Sequence, residues 1–135
     1  FDTITEVQET FLDMLSDAHA ASAFGPYEAW VYRTQYTEML QTYTDGSGES
    51  ALDRVVRSIP ELRAVHPSDW LDDGEVVLVQ MTRNTVDLAY YAIGENVEWS
   101  SGDEMTLNFK VYSIAAPRVK SDYDGNSGIV HYTGA

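Results

Sequence analysis

The chain is predicted to be an α+β domain, on three observations. Up to Pro60 apolar residues recur at spacings of three and four, the period of helices with one buried side. From Leu62 onward they alternate with polar residues or form short β-branched runs bounded by turn formers. Nothing repeats as strand–helix–strand, and a block of helices followed by a block of strands is the order of α+β architectures. With 135 residues the chain fits one domain, and at this size folding removes roughly two-thirds of the unfolded surface from water. About three helices packed on a mixed or antiparallel sheet are expected.

Thr3-Ile-Thr-Glu6 has the spacing of a capping box, so the first helix begins there. Ile4, Val7, Phe11, Leu15 and Ala18 form its apolar stripe, with Glu6, Glu9, Asp13 and Asp17 on the remaining surface. It fades through His19–Ser22, and Gly25-Pro26 breaks the chain before a strand over Glu28–Arg33. Thr34 is placed to cap a second helix whose apolar side is Tyr36, Met39, Leu40 and Tyr43. After the glycine loop Thr44–Glu49, Ser50 and Asp53 cap a third helix that runs to Ser58 and stops before Pro60, with Leu52, Val55, Val56 and Ile59 on one side.

Strands are expected over Leu62–His66, Glu75–Thr82, Val86–Tyr91, Asn96–Trp99 and Met105–Ala115, with turns at Pro67–Gly74, Arg83–Thr85 and Ser100–Asp103. The last strand, within Glu104–Lys120, has the strongest pattern. Met105, Leu107, Phe109, Val111 and Ser113 alternate with Thr106, Asn108, Lys110 and Tyr112, the period of a strand with one buried face. A charge at Phe109 or Val111 is therefore expected to prevent folding, at a cost of several kcal/mol for an unpaired buried charge. Pro117, which lacks an N–H, is expected to end the regular pairing, and the turn Asp122–Gly128 to bend Ile129–Tyr132 toward a contact.

Composition excludes several function classes. Eight Lys plus Arg against 22 Asp plus Glu leave a net charge of −14, with no basic stripe to neutralise a row of phosphates. The excess of carboxylates over lysine favours solubility and fits a saline setting. With no cysteine there is neither a disulfide framework nor a thiolate metal site. No apolar run approaches the roughly 20 residues of a membrane-spanning helix, so no membrane partner is expected. The chain starts at Phe1 rather than Met, so a processed or partial product with residues upstream is expected.

Candidate chemistry is sparse. His19, His66 and His131 share no fixed spacing, and Ser47 and Ser127 among glycines lack the Gly-Lys-Ser/Thr of a nucleotide loop. Asp122, Asp124 and Asn126 begin like a calcium loop, but Ser127 stands where the glycine belongs and Thr133 where the bidentate glutamate belongs. Asp69, Asp72, Asp73 and Glu75 crowd one loop, as composition alone allows in so acidic a chain. Trp30, Tyr32, Tyr36, Tyr43, Tyr90 and Tyr91 sit at strand and helix spacings that suit core or subunit contacts. No catalytic residue, cofactor or metal is expected.

The order of parts resembles a known one. Phe24-Gly-Pro-Tyr-Glu-Ala-Trp-Val-Tyr, Tyr36-Thr-Glu-Met-Leu, a glycine loop, Leu52-Asp-Arg-Val-Val and Asp73-Gly-Glu-Val-Val-Leu-Val follow one another. Val86-Asp-Leu-Ala-Tyr with Ile93-Gly-Glu-Asn-Val then reads as a hairpin before the closing strand. This succession resembles the C-terminal half of Hong Kong 97-type shell proteins, the major capsid proteins of tailed viruses and the encapsulins. The tail Ala116–His131 looks more like the viral members.

The resemblance implies a wedge-shaped axial domain over 25–103, a peripheral-domain helix over 1–24, and over 104–135 a strand returning to the peripheral domain with a C-terminal tail. It implies a non-enzymatic structural subunit of an icosahedral virus capsid, located in the virion and assembled in the host cytoplasm. Its partners would be copies of itself, a missing N-terminal segment, and packaged DNA touched only non-specifically. Thr44, Asp45, Gly46, Ser47, Gly48 and Glu49 would form a symmetry-axis loop, and Arg118, Lys120, Asp122, Tyr123 and Tyr132 subunit contacts. Two other readings stand beside it. One is an encapsulin-like compartment shell with an inner apolar groove for a cargo peptide. The other is a small cone-shaped ligand-binding domain or lyase, which requires a closed apolar cavity containing a His or Asp.

Overall fold

A computed structural model describes residues 4–43, 46–103 and 105–134 of the chain. The predicted cap residue Thr3, the loop residues Thr44 and Asp45, and Glu104 lie outside the described residues. The fold is α+β: three helices on one mixed four-stranded sheet, with a separate two-stranded ribbon.

Helix α1 (Ile4–Ala20) buries Val7, Phe11, Met14 and Ala18 together with Thr10. Of the predicted stripe Val7, Phe11 and Ala18 are buried and Leu15 is half-buried, the Ile4 side chain lies outside the described residues, and Thr10 and Met14 are buried without having been expected, while Glu9, Asp13 and Asp17 face water. After Gly25 and Pro26 the chain enters β1 (Tyr27–Tyr32), whose alternate residues Tyr27, Ala29 and Val31 are fully buried. Helix α2 (Arg33–Met39) starts before Thr34, which is not its cap; Tyr32 holds that position and makes no side-chain capping bond. Its inner residues are Gln35 and Met39, and Leu40, expected inside, is half exposed. The Gln35 amide nitrogen donates to Asp73 Oδ1 at 2.7 Å, while its buried Oε1 has no hydrogen-bond partner among the described residues.

Helix α3 (Ala51–Ser58) matches its expected bounds. The Ser50 side chain accepts from the Asp53 backbone N–H at 3.1 Å, and the Asp53 carboxylate accepts in return from Ser50 N. The hydroxyl and backbone bonds of Ser50 together hold the Asp53 carboxyl below the usual range. Ala51, Val55 and Ile59 point into the core, with Leu52 and Val56 half-buried beside them.

The sheet order is β2-β1-β3-β6, with β2 (Leu62–Ser68), β3 (Glu75–Gln80) and β6 (Ile129–Thr133). Strands β1 and β2 are parallel, and the other neighbours are antiparallel. Tyr27, Ala29 and Val31 of β1 and Val76 and Leu78 of β3 project toward the helices and join Val7, Phe11, Met14, Met39 and Val55 in one core. α1 packs on α3 and β6, α2 on β1 and β2, and α3 on β2. The contact reached by Ile129–Tyr132 is therefore a place in this chain's own sheet, antiparallel to β3.

The second half of the strand prediction needs three corrections. Val86–Tyr91 and Asn96–Trp99 are one strand, β4 (Val86–Ser100), because the Ile93-Gly94 segment is absorbed by bulges rather than a turn; Gly94 takes φ +60°, which glycine adopts without steric cost. The closing strand β5 runs over Leu107–Val119, two residues later at its start and four at its end. Pro117 does not stop it, since β5 pairs only with β4 and the missing N–H falls at a free edge.

The third correction concerns burial. β4 and β5 pair with each other and, among the described residues, have no substantial packing against any other element. Leu107, Phe109 and Val111 are 56%, 62% and 70% exposed. The period-two pattern is real, but the face it marks is open to water. A charge at Phe109 or Val111 is consequently compatible with folding of this chain.

Candidate assembly surface

The ribbon is tied firmly at its root. Arg118 donates to Asp87 from Nε at 2.8 Å and from Nη2 at 2.7 Å, and Lys120 Nζ donates to Asp87 Oδ2 and to Arg83 O, each at 2.7 Å. These bonds, that of Arg118 first, hold the Asp87 carboxyl well below the usual carboxylate range. Behind them the Thr85 hydroxyl donates to Gln80 Oε1 at 2.8 Å, and the Gln80 amide donates to Phe24 O at 2.9 Å. Gln80 N donates to Gly128 O at 2.7 Å. One residue, Gln80, thus links the ribbon root and the α1–β1 connection through its side chain and the approach to β6 through its backbone N–H.

Beyond the root the two faces differ. Residues opposite each other in an antiparallel pair share a face. Val86/Val119, Leu88/Pro117, Tyr90/Ala115, Asn96/Val111, Glu98/Phe109 and Ser100/Leu107 therefore lie together. This face is apolar except for Asn96, Glu98 and Ser100. The other carries Asp87/Arg118, Ala89/Ala116, Ala92/Ile114, Glu95/Tyr112, Val97/Lys110 and Trp99/Asn108, so it holds four charged side chains beside Ile114, Val97 and Trp99, with Tyr112 donating to Glu95 at 3.0 Å. Tyr91, at 86% exposure, and Ile93 fall in the bulged stretch. A two-stranded ribbon alone is marginally stable in water, and exposed apolar patches of this extent mark interaction sites.

The residues singled out from the sequence are scattered around this surface. Thr44 and Asp45 are outside the described residues; Gly46, Ser47 and Gly48 are exposed, with φ of +81° and +71° at the glycines. Glu49 is drawn back toward α3 by Arg54 and Arg57, and Arg54 lies 3.7 Å from the Tyr43 ring centre. Arg118 and Lys120 belong to the ribbon root. Asp122 closes its own turn, accepting from Asn126 N at 2.8 Å. Tyr123 projects fully into solvent, and Tyr132 packs half-buried against the core.

Tyr90 and Tyr91, which the sequence suits to core or subunit contacts, lie exposed on the ribbon, whereas the exposed Leu88, Ile93 and Trp99 were not among the predicted contacts, and neither was Trp70, which is 98% exposed. Their signal was the length of apolar strand sequence relative to the helices available to cover it.

Each histidine has a carboxylate partner: His19 with Glu61 at 3.1 Å, His66 with Glu28 at 3.3 Å and His131 with Glu75 at 3.3 Å. Among the described residues no three His, Asp or Glu converge as metal ligands. The gap enclosed by Phe11, Leu15, Tyr27, Ile59, Leu62 and Leu78 contains no histidine or carboxylate. A shallow polar depression beside the ribbon root, bordered by Ser22, Gln80, Thr85, Lys120 and Asp122, is open to solvent.

No protein-family description and no curated protein matches the chain. Among solved structures it is similar to a chain of a virus-like particle from Pyrococcus furiosus, with a TM-score of 0.69 and 19% identity over 97% of this chain and 52% of that one. The likeness shows a shared fold, that of a chain from a virus-like particle. This chain spans about half the length of that one.

Proposed function

We propose that this chain is a structural subunit that assembles with copies of itself into a closed protein shell of the Hong Kong 97 type, the capsid of a tailed-virus-like particle. The observation that carries the reading is the β4–β5 ribbon, which displays an apolar face that no element among the described residues covers, on a fold shared with a virus-like-particle chain. Long uncovered strands are otherwise an aggregation hazard; a shell turns the same surface into a contact. The role is structural rather than catalytic.

The charge supports a container that does not grip its contents. At −14 the chain repels a polyanion, so DNA inside the shell would be held by confinement and touched only non-specifically. The place of action is the virion, after assembly in the host cytoplasm. Tail residues Ala116–His131 favour the viral form over a cargo-enclosing compartment.

The test is electron microscopy with light scattering on the purified chain. Closed particles of uniform size are expected, and their contents assign the class: nucleic acid for a capsid, a co-purifying enzyme for a compartment. A chain that forms no particles under any salt condition overturns the shell reading.

A further inference from the structure

The geometry points to one contact within that assembly: the more apolar face of the ribbon docks against the same face of a second copy, ribbon on ribbon, with the face that carries Asp87, Glu95, Lys110 and Arg118 left toward solvent. This rests on the self-assembly reading above and names the surface through which it works. Strand pairing fixes which residues take part. Leu88, Tyr90, Leu107, Phe109, Val111 and Val119 share one side, all between 48% and 70% exposed.

Area and charge select the occupant. The six side chains present on the order of 600 Å² of accessible surface, close to the roughly 800 Å² per partner of a standard interface. From Val86 to Lys120 there are five acidic and three basic residues, a net of −2, so the other 100 residues carry −12 of the total −14. Another copy is repelled by most of this molecule. It meets little repulsion at the docking face, where Glu98 is the one charged side chain brought in by strand pairing. The opposite face holds Asp87, Glu95, Lys110 and Arg118, whose partners lie within the ribbon or in water.

A face that meets itself is isologous and closes on a two-fold axis. Two ribbons stacked face to face, about 10 Å apart, make a four-stranded sandwich with a dry centre. This also supplies the third and fourth strands that a lone hairpin lacks.

Val111 and Lys110 are neighbours in sequence on opposite faces, and they provide the test. Wild type, Val111→Asp and Lys110→Glu are compared in 1 M NaCl by analytical ultracentrifugation, with circular dichroism as the check on folding. Wild type is expected to associate, Val111→Asp to weaken association at least 100-fold with an unchanged spectrum, and Lys110→Glu to stay within 10-fold despite its larger charge change. Should Val111→Asp unfold, Phe109→Ser reads the same face without adding a charge.

Equal effects of the two substitutions, or a wild-type chain that stays monomeric and associates only with a different polypeptide, overturn the docking. Closed particles formed by Val111→Asp overturn it while leaving the shell reading intact. Wild-type dimers that depend on Val111 but never form particles uphold the docking and overturn the shell reading.

Discussion

Gly128→Ala is expected to loosen the junction between the ribbon and the sheet. A Cβ at this buried position would lie 2.6 Å from both Gln80 Oε1 and Thr85 Oγ1 and 2.9 Å from Gln80 Cβ, all closer than van der Waals contact. Gln80 cannot swing aside freely. Its amide oxygen accepts from Thr85 and its amide nitrogen donates to Phe24 O. Releasing both bonds costs about 2 kcal/mol at about 1 kcal/mol each. Holding them instead forces Gly128 away from β3, an overpacking strain of about 1–3 kcal/mol that also stretches the Gln80 N–H bond to Gly128 O. Across the two routes a loss of about 1–3 kcal/mol is expected, a shift of roughly 1–2 M in the urea midpoint for a small domain. The double substitution Gln80→Ala/Gly128→Ala removes the obstructing amide, so its loss should be smaller than the sum of the single losses. A Gly128→Ala midpoint within error of wild type, or strict additivity, refutes Gln80 as the link.

Other outcomes follow from the same contacts. Ser50→Ala removes the hydroxyl that caps α3 and should lower stability by about 1 kcal/mol in denaturant unfolding, with Ser50→Thr restoring most of it. Asp87 is depressed in the folded chain, so the stability it contributes is complete above the unfolded carboxyl value near 3.9 and is lost as pH falls below it. Amide-exchange protection at the root, Val86–Leu88 and Arg118–Lys120, should therefore fall below about pH 4 before that of the core, and Asp87→Asn should abolish that dependence. Assembly should be favoured by salt: at −14 per copy, shortening the screening length from about 10 Å at 0.1 M to about 3 Å at 1 M removes most of the repulsion between copies. Light scattering that falls as NaCl is raised would contradict this.

How much of the structure was legible depends on whether the responsible interaction is local. The α3 boundary could be read to the residue because Ser50, Asp53 and Pro60 act within a few positions of one another. Val7, Phe11 and Ala18 on the inner side of α1 followed from spacing, whereas Met14 and Thr10 beside them did not. Gln35 was not legible as a buried residue, since the partner of its amide nitrogen is Asp73, nearly forty positions away. Nor was the continuity of β4: Gly94 reads as a turn from its neighbours, and only pairing with β5 turns it into a bulge. Of the ribbon surface, the alternation at Leu107, Phe109 and Val111 was visible, while the openness of that face was not. Arg118 and Lys120 stood out as charges available for contacts, yet their shared partner Asp87 lies across the ribbon.

That last difference changes where a free energy belongs. A period-two pattern reports that one side of a strand is removed from water in the functional state; it carries no information about which body does the covering. Reading the pattern as folding energy assigned the penalty for a charge at Phe109 or Val111 to the chain's own stability. With both side chains more than half exposed and no described element packed over them, that penalty leaves the folding equilibrium and, on the docking proposed above, enters association. The core of Tyr27, Phe11, Met14 and Met39 contains none of the ribbon's face and can form without it. The same substitution that would abolish a sandwich core therefore separates folding from assembly here, and does so at the strand whose sequence pattern is the strongest in the chain.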